Sequence, residues 1–199
     1  MAKLKLTYFD FSGGRGEASR LALHIAGADW TDNRVKGQAW TELKASTPFG
    51  GLPTLEVAGE GVLSQSNAIL GYIGQQYGLM PTDPFEAARH VAVMNAVETL
   101  RAQAATTAKK DEGRRRAARE AFSSGYFEHW ASYLTKQVRG PLIGGTALSV
   151  ADLKVYVAMH AYREGVYDYI PSDILDPFPA IIGLMQEVEA NPRVAEWQG

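Results

Sequence analysis

Cysteine is absent from the 199 residues. That excludes disulfides, thiolate-bound metal, a cysteine nucleophile and dithiol redox chemistry carried by the protein itself. Any thiol chemistry here needs a thiol brought by a ligand. Long hydrophobic runs are missing too. No uninterrupted apolar stretch reaches the roughly 18 residues of a bilayer-spanning helix, so no membrane association is expected. The opening residues, Met1 to Tyr8, alternate as a strand does and lack the apolar stretch of a secretion signal, so a cytoplasmic location is expected. Neither sign of charge dominates: the net charge is −2, and no global field favours nucleic acid or an anionic surface. Histidines are few and scattered, at 24, 90, 129 and 160, with no pair at ligand spacing, so no metal site is expected. Lys109, Lys110, Arg114, Arg115, Arg116 and Arg119 cluster, but no aromatics interleave them, and they read as a solvated helix face.

What is present is ordinary for a globular chain: 46% apolar and 21% charged residues, enough for one large or two small domains. Leu4, Leu6 and Tyr8 alternate with Lys3, Lys5 and Thr7, which predicts a strand. Ala18, Leu21, Ala22, Ile25 and Ala26 then fall at helical spacing, with Gly27 as the stop. Residues 30–35 read as a second strand and 39–45 as a short helix. A hairpin and a helix over 66–77 complete the order β-α-β-α-β-β-α. The stretch 78–84, Gly-Leu-Met-Pro-Thr-Asp-Pro, has the composition of a linker, and beyond it strand signals vanish. Helices are predicted over 85–110, with Ala88, Val91, Ala92, Asn95 and Leu100 on one face, and over 114–138. Ser149 and Asp152 form a capping box that opens a third helix. Pro177-Phe178-Pro179 opens a fourth. The expected division is 1–78, a linker at 79–84, and 85–199.

The richest stretch is 49–67. Pro53 precedes the strand-like run 54–57, the segment 58–61 supplies turn chemistry, and Val62-Leu63 resumes an apolar run. Ser66 or Asn67 is the expected N-cap of the following helix. The backbone at Leu52 and the N–H groups at Ser66 can face one small polar ligand, and a peptide-like ligand with a carboxylate suits both. The turn Ser12-Gly13-Gly14-Arg15-Gly16 suggests phosphate binding. Ser19 stands where a dinucleotide fingerprint needs its third glycine, and a hairpin follows Pro53, so that reading is disfavoured.

Taken together, Tyr8-Phe9, Arg15-Gly16-Glu17, Gln38-Ala39-Trp40, residues 48–53 (Pro-Phe-Gly-Gly-Leu-Pro) and residues 64–69 (Ser-Gln-Ser-Asn-Ala-Ile) resemble the cytosolic glutathione transferases. The sequence is most similar to the sigma class, which includes glutathione-dependent prostaglandin D synthases. Residues 149–152 extend the resemblance into the second half. It implies an α/β thioredoxin-like N-terminal domain, an all-α C-terminal domain and a homodimer that uses glutathione as co-substrate with a small hydrophobic electrophile.

The resemblance also implies roles. Tyr8, with Arg15 beside it, would be catalytic, the phenol donating to the glutathione sulfur. Trp40 and Lys44 would hold the glycyl end, near Gly51. Leu52 would pair its backbone with the cysteinyl unit, ahead of a cis Pro53, and Gln65 and Ser66 would bind the γ-glutamyl end. Phe11, Gly14, Arg15, Thr106 and Tyr156 would line the acceptor pocket. Phe49 would either plug a pocket on a partner subunit or pack in its own loop. One charge-assisted hydrogen bond of about 1.5–3 kcal/mol could lower a thiol pKa near 8.5 by about one to two units. The thiolate so formed is the nucleophile.

Two positions depart from the family pattern. Gly51 stands where sigma enzymes often carry lysine. Ala102 stands near the usual aspartate that reaches across to the partner's glutathione, with Glu98 the nearest acidic candidate and Gln103 a neutral one. The alternatives are isomerase or peroxidase chemistry on the same thiolate, a non-catalytic binding or structural protein, and serine-type chemistry at Ser12 in place of Tyr8.

Overall fold

The computed structural model describes residues 3–198. Met1, Ala2 and Gly199, which the expected strand and C-terminal segment include, lie outside the described residues. The first strand, β1 (Leu4–Phe9), runs into α1 (Gly14–Ile25) and returns parallel as β2 (Trp30–Val35). Next come α2 (Gly37–Leu43) and a single 3₁₀ turn, Lys44–Ser46. The hairpin strands β3 (Thr54–Val57) and β4 (Gly61–Ser64) then lead to α3 (Ser66–Tyr77). The sheet order is β2-β1-β3-β4, with β3 antiparallel to both of its neighbours. The β-α-β-α-β-β-α order expected from the pattern is therefore the observed one.

The alternation in β1 sends Leu4, Leu6 and Tyr8 inward, and Leu6 pairs across to the equally buried Leu55. Tyr8 thereby ends a central strand with its ring held inside. Ile69, Leu70 and Ile73 of α3 join Leu21 and Ala22 of α1 in the same core.

The rest is helical: α4 (Pro84–Thr106), α5 (Glu112–Ala121), a π-helical turn (Phe122–Phe127), α6 (Glu128–Thr135), α7 (Val150–Arg163), α8 (Pro179–Glu189) and α9 (Pro192–Gln198). Asp83 caps α4 by accepting from Glu86 N at 2.9 Å, and proline at the first helical position fits that start. The helix expected over 114–138 is one helical path widened by the π turn around Gly125. The capping box at Ser149 and Asp152 is present, and Asp152 also accepts from Ile143 N at 2.8 Å. Helix α7 is buried from Val150 to Met159 and packs against α1, α4 and α8. It is the element on which the sheet layer and the helical half meet. Among the described residues no helix is long and apolar enough to cross a membrane.

Two local expectations are corrected. In α4, Ala88, Val91, Ala92 and Asn95 are exposed, whereas Val93, Met94, Val97 and Leu100 form the buried face. The larger aliphatic side chains turn inward because they remove more area from water. The N-cap of α3 is Gln65, not Ser66 or Asn67, and it holds the left-handed value φ 73°.

Candidate active site

Gly14 and Gly16 make room for an aromatic ring rather than a phosphate. A Cβ on Gly16 would lie 2.3 Å from Tyr8 Cγ, and one on Gly14 would lie 2.6 Å from Tyr8 Oη. Contacts this short cannot exist, so the first turn of α1 can lie on the phenol only with glycine at both positions. The close approach has a chemical result. Arg15 N, at the positive end of α1, donates to Tyr8 Oη at 3.0 Å. The phenol oxygen is thereby an acceptor on one side, and its own proton remains available to donate. A donor whose oxygen already accepts a bond is polarised and donates more strongly. Arg20 Cζ lies 5.6 Å from the centre of the same ring. Its guanidinium is fixed by Glu17, Asp32 and the carbonyls of Phe9 and Phe11.

A first cavity, about 240 Å³, opens beside Arg15 between the residue 49–53 loop and the start of α3. Gly51, Leu52, Pro53, Gln65, Ser66, Asn67 and Glu98 line it. The Leu52–Pro53 bond is cis, as the resemblance implied. The positive φ at Gln65 is costly for a residue with a side chain, and such strain concentrates at ligand sites. Beneath Ser66 sits a charge network. Lys154 of α7, fully buried, places Nζ 2.9 Å from Ser66 Oγ and 2.5 Å from Glu98 Oε1. Ser66 Oγ donates to Glu98 Oε1 at 3.4 Å, and Arg15 Nε meets Glu98 Oε2 at 2.7 Å. Burial acts to raise the Glu98 pKa, but Lys154 and Arg15 together outweigh it and hold the carboxyl at about 2. Burial pulls Lys154 down to about 8 against the opposing pull of Glu98.

A second cavity of about 860 Å³ adjoins it, with Arg15 on both walls. Tyr8, Phe11, Gly14, Arg101, Ala105 and Tyr156 lie on its surface, together with residues of α7 and Trp197. The volume is within the range of small-molecule sites. Ser12 lines it as well but is exposed.

The sequence expectations divide accordingly. Gly51, Leu52, Pro53, Gln65 and Ser66 come together on the first cavity, and Tyr8, Phe11, Gly14 and Tyr156 on the second. Trp40 and Lys44 line neither. Trp40 packs edge-on against Phe9, with ring centres 5.6 Å apart, and the Lys44 chain passes near Gly50. Thr106 does not reach the second cavity. It is exposed at the end of α4 and donates to Gln103 O at 2.7 Å, so Arg101 and Ala105, one turn back and adjacent, take the place expected for it. Glu98 faces the Ser66 site of its own chain. Sequence reasoning missed Lys154 altogether. Its one available signal was a lysine within an otherwise apolar face of α7.

A family model for the glutathione S-transferase N-terminal domain matches residues 4–75, and one for the C-terminal domain matches 97–199. "Probable glutathione S-transferase 7" of Caenorhabditis elegans is 32% identical over 207 residues, spanning 99% of this chain and 96% of that one. Glutathione S-transferase 1 of Ascaris suum is 47% identical over 103 residues, a match that spans 52% of this chain and 49% of the other. Among solved structures, prostaglandin synthase D of Nilaparvata lugens superposes with a TM-score of 0.86 at 25% identity, covering 98% of this chain and 96% of that one.

Proposed function

This chain belongs to the glutathione S-transferase family, whose enzymes use glutathione as co-substrate, and from that premise we propose a tyrosine-type transferase acting on small electrophiles. The observation that carries the reading is the Tyr8 hydroxyl, its oxygen capped by Arg15 N and its ring on the wall of the larger cavity. The cysteinyl unit of glutathione pairs with the Leu52 backbone. The γ-glutamyl carboxylate takes the N-terminus of α3 and Ser66, and its ammonium group turns to Glu98. Gln65 adds a polar contact at that end. Trp40 and Lys44 act from the neighbouring α2 segment on the glycyl end, beside Gly51.

Held there, the sulfur meets the Tyr8 O–H. The hydrogen bond is stronger to thiolate than to thiol, so it lowers the thiol pKa and raises the nucleophile's population at neutral pH. The thiolate then forms one C–S bond with the electrophile. The displaced electron pair leaves with a halide or moves onto an adjacent carbonyl, which takes a proton from water. Arg15 N supports the phenol and the Arg15 side chain ties Glu98, so the sulfur and the γ-glutamyl end of glutathione answer to one residue.

The likeness to a prostaglandin synthase favours isomerisation as a second reading, carried by the same thiolate. We also propose the division into residues 1–78, which bind glutathione, and a helical domain over 85–199 joined through 79–84. The two family-model matches fall on either side of that joint. A homodimer is the third part of the proposal. Phe49 and Phe85 are 74% and 71% exposed, and Ala88, Val91 and Ala92 are exposed on α4.

The test is a pair of substitutions assayed with an aryl halide. Tyr8→Phe lowers kcat roughly ten- to a hundredfold with glutathione affinity retained, while Ser12→Ala does far less. The reverse pattern contradicts the tyrosine mechanism.

A further inference from the structure

Among the described residues Arg101 has no hydrogen-bond or ion-pair partner. Five arginines of the described residues are buried or half-buried: Arg20, Arg89, Arg101, Arg115 and Arg119. Four of them form ion pairs, with Glu17 and Asp32, with Glu86, and twice with Asp168. Arg101 makes no hydrogen bond, ion pair or ring contact among the described residues. Yet it lines the larger cavity, on the wall shared with Tyr8. The carboxylates around it do not take it up. Glu17 is engaged by Arg20, Gly13 N and Trp197 Nε1. Glu98 is taken by Arg15, Lys154 and Ser66. Glu164 and Glu189 also line the cavity, and neither pairs with Arg101.

Arg101 is half-buried, and a guanidinium partly withdrawn from water with no hydrogen-bonded counter-charge is costly, so folded chains keep one only where something offsets the cost. Burial draws its pKa below the usual arginine value, with Glu98 opposing. The planar fork of arginine is suited to a carboxylate, which it can hold through two parallel hydrogen bonds. Phe11, Leu21, Val157, Ala161 and Val166 supply apolar wall around it. An apolar body with one acidic end satisfies both kinds of surface.

We propose that the larger cavity selects acceptors carrying a carboxylate, with Arg101 binding that carboxylate while the electrophilic carbon faces the thiol at Tyr8. This rests on the transferase reading and narrows it to amphipathic anionic electrophiles. Arg101 acts here as a specificity-determining residue of the acceptor site. The reaction adds no new requirement. The glutathione sulfur bonds to the β-carbon of an unsaturated ketone, the π pair moves to the carbonyl oxygen, and the α-carbon takes a proton from water.

A matched pair of acceptors tests it: 4-phenyl-3-buten-2-one and the same ketone with a para-carboxylate on the ring. Wild type turns over the carboxylate with kcat/KM roughly tenfold above the neutral ketone, after each is corrected for its uncatalysed rate with glutathione. Arg101→Gln removes that ratio and Arg101→Lys restores part of it. A wild-type ratio of one or below overturns the proposal, as does an Arg101→Gln protein that keeps the ratio. Calorimetry supplies a readout independent of turnover. With the site saturated by S-methylglutathione, 4-phenylbutanoate binds wild type roughly tenfold more tightly than Arg101→Gln, while 4-phenylbutanol does not distinguish them. Equal binding of the carboxylate by the two proteins overturns the assignment. So does weakened S-methylglutathione binding in Arg101→Gln without a change for the carboxylate, since the guanidinium would then serve the glutathione side. If neither ketone is conjugated, the transferase reading fails while calorimetry still decides whether Arg101 takes a carboxylate. If only the neutral ketone is conjugated, that reading stands and this inference falls.

Discussion

In the proposed mechanism the chemistry turns on Tyr8, and the placement of that residue depends on two atoms that are not there. A side chain at Gly16 would overlap the phenol ring. Alanine at an unconstrained helical glycine stabilises by about 0.5–1 kcal/mol. Here Gly16→Ala is expected to destabilise by about 1–3 kcal/mol through overpacking, and to lower turnover at least as much as Tyr8→Phe by displacing the phenol. Urea unfolding and an aryl-halide assay on the same preparation check both signs. Glu98 gives a second residue-scale outcome. Its carboxyl titrates at about 2 when folded, below its ordinary 4.5, so the folded state holds fewer protons than the unfolded state between those values. Its contribution to stability is full above pH 4.5 and is lost as the pH falls through about 2. Denaturant midpoints measured from pH 6 down to pH 2 should therefore decline less steeply for Glu98→Gln than for wild type. The position of Tyr8 at the buried end of β1 was legible in the strand pattern, while the role proposed for it came from the family resemblance. The reason for the glycines was not, because a Gly-rich turn looks alike over a phosphate and over a ring.

At the scale of elements, α7 carries two devices, one that starts the helix and one that joins it to α3 and α4. Its capping box was legible because the bonds are local, between Ser149 and Asp152. The Lys154 contact to Ser66 and Glu98 was not, because it joins three helices far apart in sequence, and a lysine in a helical pattern reads as a solvated one. Lys154→Met leaves Arg15 as the one ion-pair partner of Glu98 among the described residues and is expected to cost about 1–3 kcal/mol. Combined with Glu98→Gln, the double variant should show a coupling energy of about 0.5–3 kcal/mol in a thermodynamic cycle. Strict additivity would mean that the pair does not support α3. The α4 error has a related cause. Ala88, Val91 and Ala92 lie on one side and Val93, Met94 and Val97 on the other. A helix apolar on two sides has no single face to read, and the exposed side is the one a second subunit would cover.

For the whole molecule, the α/β layer, the helical half and their order follow from local periodicity, which is why they were visible in one sequence. The larger cavity is a product of packing between α1, α4 and α7, so Thr106 was expected there and Arg101 was not. If Phe49 plugs a pocket on a second subunit, Phe49→Ala should weaken association by a hundredfold or more, the cost of removing a buried aromatic anchor, whereas unchanged association would leave Phe49 as loop packing. Sedimentation over a dilution series reads this, and a wild-type chain that is monomeric at micromolar concentration removes the dimer from the account.

The central claim is that Tyr8 stabilises the thiolate of bound glutathione. The direct measurement is an ultraviolet titration of thiolate absorbance in the binary complex, for wild type and Tyr8→Phe. In wild type the bound thiol should titrate roughly one to two units below a free thiol, and in Tyr8→Phe it should return toward the free value. The same bound-thiol pKa in both proteins would contradict the account.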